Sequence, residues 1–98
     1  MDFTFSGQIW IFTGEGSWYF VTLPPELADE IQARCAGKTR GFGAIRVQAQ
    51  LGSSMWTTSL FRDKKSASYI LPLKKEVRLS QKLTVGQSVD VAFSLTDL

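Results

Sequence analysis

The 98-residue chain contains no histidine, so neither a Ser-His-Asp nor a Cys-His relay can be assembled, since each needs an imidazole to carry the proton. Cys35 is the only cysteine, and a zinc site would have to rest on it and on carboxylates, a poor set for that metal. Glu26, Asp29 and Glu30 are the densest carboxylates. They fall at the start of an expected helix, where negative charge complements the dipole without any acid–base chemistry. Asp90 reads as a solvated strand charge. Gly14, Gly16, Gly37, Gly41, Gly43 and Gly52 lie in no strand–loop–lysine–helix context and read as turn and bulge residues. No catalytic group, metal or cofactor is implied.

One basic constellation has spacing that suits a ligand. Lys74 and Arg78 stand four apart, hence on one face of a helix expected to open after Pro72, where free backbone amides attract anions. Lys65 and Ser59 would converge on them, with Trp56 and Tyr69 supplying aromatic surface. The competing reading is an exposed basic face in which Lys74 or Lys75 pairs with Glu76. Trp10, Trp18 and Trp56 can stack on a planar ligand, although tryptophan more often closes the end of a small barrel or packs beneath a helix.

Positioning these groups requires strands. Phe3, Phe5, Ile9 and Ile11 alternate with Thr4, Ser6 and Gln8, which is the period of a half-buried strand. A turn at Gly14–Ser17 leads into the aromatic run Trp18–Leu23, giving a hairpin. Pro24-Pro25 then suits a helix start, with Leu27, Ile31 and Cys35 on its apolar face and Gly37 as its stop. Ile45, Val47, Ala49 and Leu51 alternate with polar residues. After a break at Gly52-Ser53-Ser54, residues 55–61 and 69–71 read as strands, separated by a loop from Arg62 to Ser66. Leu73, Val77 and Leu83 suggest a short helix after Pro72, and Val89, Val91, Phe93 and Leu95 form a last strand.

Both halves, about 1–51 and 52–98, thus run strand, strand ending in proline, helix, strand. A shift of 50 residues places Tyr19 on Tyr69, Leu23 on Leu73 and Glu26 on Glu76, as an internal repeat would. One ββαβ unit cannot bury both faces, whereas two can close on each other. The expected fold is mainly β, a small pseudo-symmetric barrel in a single domain of residues 1–98.

Composition agrees with one soluble globular unit: 44% of residues are apolar and 20% charged. Net charge is +2, too small to announce nucleic acid or membrane. It is unevenly spread, with four basic and five acidic groups in residues 1–50 against seven and four in 51–98. Neither a membrane span nor a signal peptide is expected, and a lone cysteine fits a reducing, cytoplasmic compartment.

Residues 55–91 join Met-Trp-Thr-Thr-Ser-Leu-Phe, Lys64-Lys65, Tyr-Ile-Leu-Pro-Leu-Lys-Lys-Glu-Val-Arg and Val-Gly-Gln-Ser-Val-Asp-Val. This combination, with Gly7, Trp10 and the run from Trp18 to Pro24, resembles the bacterial family numbered nineteen hundred and five among domains of unknown function. Ala67-Ser68 stands where that family often has glycine before the tyrosine, and Gln87 where aspartate is usual. The resemblance implies a double-split β-barrel, an architecture shared with AbrB- and MazE-type regulators, here with both halves in one chain. It implies no activity.

The leading functional reading is a non-enzymatic binding or interaction module, taking a small anionic ligand or a protein partner near Trp56, Ser59, Lys65, Tyr69, Lys74 and Arg78. A nucleic-acid-binding regulator, by analogy with the AbrB-like architecture, is a second reading, against which the small net charge counts. A histidine-independent enzyme is a third.

Overall fold

The computed structural model describes residues 1–35 and 44–96. Gly37, Gly41 and Gly43, and with them the expected helix stop, lie outside the described residues. The elements are β1 (Phe3–Phe12), β2 (Trp18–Thr22), α1 (Pro25–Cys35), β3 (Ile45–Leu51), β4 (Ser54–Asp63), β5 (Ser68–Pro72), α2 (Lys75–Ser80) and β6 (Ser88–Leu95). All pairings are antiparallel, and the strands close into a barrel in the order β1-β2-β5-β4-β3-β6. Closure gives each strand a neighbour on both sides and removes the exposed edge of an open sheet.

The two ten-residue strands are shared between sheets. Residues Phe3–Gln8 of β1 pair with β6, and Ile9–Phe12 pair with β2. Similarly, Ser54–Leu60 of β4 pair with β3, and Phe61–Asp63 pair with β5. Gly7 sits where β1 changes partner. A Cβ there would lie 2.7 Å from Cγ1 of Val21, so the absence of a side chain lets β2 close over the strand.

The alternation read from β3 and β6 holds: Ile45, Val47, Val89, Val91 and Phe93 are buried, whereas Arg46, Gln48 and Asp90 are exposed. Phe93 stacks on Phe3 at 5.2 Å and meets Phe5 edge-on at 6.1 Å. These offset arrangements suit the quadrupoles of the rings. Helix α1 begins at Pro25 as expected, with the Pro24 carbonyl accepting the amide of Ala28 at 3.0 Å. It buries Ala28, Ile31 and Cys35 in the core and packs against β5, while Leu27 is half-buried.

The second helix is short, as expected, but it opens and closes elsewhere than the spacing suggested. Pro72 is the last residue of β5, opposite Phe20, and does not open the helix. At a strand end its missing N–H breaks no ladder, and the next donor, the amide of Leu73, bonds the Tyr19 carbonyl at 2.9 Å. Its counterpart, the amide of Leu23, bonds the Tyr69 carbonyl at 2.9 Å. Helix α2 starts only at Lys75 and stops at Ser80, because Lys82 turns left-handed (φ 54°) and the chain folds back. The amides of Lys82 and Leu83 return to the carbonyls of Leu79 and Arg78, the 5→2 and 6→1 bonds of a Schellman ending. Leu83 therefore packs against the core from beyond the helix. Strand β4 also runs two residues past its expected end, taking in Arg62 and Asp63. Among the described residues no helix is long and apolar enough to cross a membrane.

Candidate functional site

The site is built where α2 lies across the start of β4. The two-residue turn Gly52-Ser53 brings the chain back from β3, and Gly52 adopts φ 59°, a left-handed conformation that glycine accepts without strain. The amide group of Gln81, just past α2, donates to the hydroxyls of Ser53 (3.1 Å) and Ser54 (3.0 Å). A Cβ on Gly52 would collide with that amide. The helix end is thus fastened to the β3–β4 turn, leaving between them an open recess of about 470 Å³. Its walls include Ser54, Trp56, Lys74, Glu76, Val77 and Ser80.

Trp56 is only 6% exposed, and its indole nitrogen is fully buried with no hydrogen-bond partner. An unsatisfied buried donor costs about 1–3 kcal/mol. Trp56 pairs with Ala49 as Phe5 pairs with Val91, and both rings are buried.

The six residues singled out in the sequence are divided among several places. Trp56 and Lys74 share the recess. The guanidinium of Arg78 lies 3.8 Å from the centre of the Tyr19 ring, a cation–π contact, and its Nε is buried without an acceptor. Ser59 is buried and accepts a hydrogen bond from Arg46 at 3.2 Å. Tyr69 is buried beneath Arg62, whose guanidinium carbon stands 5.3 Å from its ring. Burial pushes the Tyr69 phenol above its ordinary pKa; nearby Arg62 opposes this and Cys35 adds to it. Lys65 borders a separate recess of about 380 Å³, floored by Trp10, Phe12, Phe20 and Ile70. Helix α2 is six residues long, too short for the dipole anion site that Lys74 and Arg78 suggested.

Sequence reasoning did not find Ser54, Ser80 or the Gln81 clasp, since polar residues in turns carry no periodic signal. It missed Phe12 and Phe20 as part of an aromatic face. There the signal existed: Trp10 and Phe12 alternate, as do Trp18 and Phe20.

The family model described as Domain of unknown function (DUF1905) matches residues 5–93. The chain belongs to this family. No curated protein matches the chain. Within this DUF1905 domain the departures noted from the sequence acquire a geometric meaning. Ala67 adopts φ 53° in the β4–β5 turn, where glycine would be unstrained. Gly86 adopts φ 89°, and the side chain of Gln87 accepts the amide of Thr84 at 3.0 Å, closing the turn before β6.

Proposed function

We propose that this DUF1905 domain is a non-enzymatic binding module whose ligand seat is the recess between β4 and α2. The observation that carries the reading is the Trp56 indole N–H, buried without an acceptor in a residue that lines the same recess as the cation of Lys74. A ligand with a carboxylate or phosphate oxygen would give Lys74 a counter-charge, with the hydroxyls of Ser54 and Ser80 at hand, and would give the indole an acceptor once a small shift of the recess wall uncovers its nitrogen. A lone cysteine, Cys35, supports a reducing compartment and hence a cytoplasmic setting.

We also read the two halves as an internal duplication. What supports it is register: Val21 lies opposite Leu71, its partner under the 50-residue shift. If Val47 is aligned with Val89, Gln50 and Ala92 become counterparts, and they too lie opposite one another.

Thermal shift and calorimetry with inorganic phosphate, small carboxylates and phosphorylated metabolites test the reading, since a ligand at about 100 times its Kd adds about 2.7 kcal/mol. The expected result is stabilisation that survives in chloride at matched ionic strength and disappears in Trp56→Phe and Lys74→Ala. Equal responses from both variants and the wild type would refute the seat.

A further inference from the structure

The outer face of the β1–β2–β5 sheet carries a second surface. Phe12 lies opposite Trp18, Trp10 opposite Phe20, and Thr22 opposite Ile70, which in turn faces Phe61. Residues directly opposite in an antiparallel ladder share a face, so five aromatic rings and Ile70 point outward together. Phe12 is 53% exposed, Trp18 56% and Phe61 45%. Trp10 is fixed rather than loose: its indole nitrogen donates to the Thr22 hydroxyl at 2.8 Å, and its ring lies 5.0 Å from Phe20.

Charge sits beside these rings. Lys64 and Lys65, both exposed, border the groove floored by Trp10, Phe12 and Phe20. Among the described residues the only ion pair joins Arg34 to Glu30, so neither lysine is held in an ion pair, although Asp63 lines the same groove. The adjacent Asp63 carboxylate is turned to the amide and hydroxyl of Ser66, at 3.3 and 2.7 Å.

We propose that this face binds single-stranded nucleic acid, with bases stacked on Phe12 and Trp18 and backbone phosphates on Lys64 and Lys65. Planar rings beside unpaired cations are the two requirements of sequence-tolerant strand binding. A peptide is the poorer fit, because strand addition needs a free sheet edge and the barrel is closed. Duplex DNA buries its base faces and would leave the rings unused.

Fluorescence anisotropy with a labelled oligothymidine of about 12 nucleotides, a length within the range one small barrel covers, tests the proposal. Binding should weaken with salt, and Lys64→Gln with Lys65→Gln should make the log–log slope shallower by about 1.4, about 0.7 for each phosphate no longer neutralised. Phe12→Ala with Trp18→Ala should lower affinity about tenfold or more while the variant stays folded at the assay temperature, checked by circular dichroism, since loss of this half-exposed cross-strand pair removes only a small part of the stability. Trp56→Phe should bind the oligonucleotide as the wild type does, which separates this surface from the β4–α2 recess. Equal affinity for duplex, no anisotropy change, undiminished binding by the aromatic double variant, or binding of an acidic aromatic peptide in place of the oligonucleotide would overturn it.

Discussion

Val21 and Leu71 lie directly opposite one another where β2 meets β5, and both are completely buried. The two strands are five residues each and join the two halves of the barrel. Truncating Leu71 to Ala should cost about 2–5 kcal/mol by cavity formation. Since the residues are neighbours, the Val21→Ala, Leu71→Ala double variant should depart from additivity by about 0.5 kcal/mol or more. Urea unfolding of the three variants measures both.

Gly7 should resist any side chain. Alanine there meets Val21 at 2.7 Å and the Thr22 carbonyl at 3.3 Å, and both belong to the tightly held β2. Gly7→Ala should lower stability by about 1–3 kcal/mol, read as a lower denaturation midpoint at unchanged m-value.

Two left-handed residues offer gains. Ala67 and Lys82 adopt φ of 53° and 54°, a conformation costing an L-residue about 1–2 kcal/mol, partly offset for glycine by its greater freedom when unfolded. Ala67→Gly and Lys82→Gly should each stabilise by up to about 1 kcal/mol, and thermal melts should show additive increments because the two turns are separate. A β-branched residue at either position should lower the melting temperature.

Much of the barrel was legible in single-face alternation. Ile45 to Leu51 and Val89 to Phe93 each have one face buried, and a one-residue slip would expose the whole set. Illegible was the change of partner within β1 and β4, since pairing with two neighbours leaves the period of two intact. That α2 is short was legible, but where it stops was hidden because Leu83 continues the apolar spacing, while the actual stop is a left-handed lysine, a residue with no reputation as a breaker. At the site, Trp56 and Lys74 could be named from composition. The burial of the indole nitrogen and the capture of Arg78 by Tyr19 depend on tertiary packing across the halves, which local spacing does not encode.

Tyr69 should make the fold alkali-sensitive. Its phenol, raised by burial, keeps its proton in the folded state at a pH where the unfolded tyrosine, with a pKa of about 10, has begun to lose it. The unfolded chain then binds fewer protons, so stability falls as pH rises through and above that value. Tyr69→Phe should remove this part of the loss. Removing the opposing cation with Arg62→Gln should push the phenol higher still, visible in its ultraviolet titration.

Pairing of β1 with β6 also sets an order of events during synthesis. Within the barrel the first strand waits for the sixth, so the ring cannot close until residues 88–95 have left the ribosome. Until then the Phe3–Gln8 edge of β1 stands open and Phe93 is missing from the core. For that interval the nascent chain is adhesive, and a neighbouring copy emerging beside it presents the same strand for exchange.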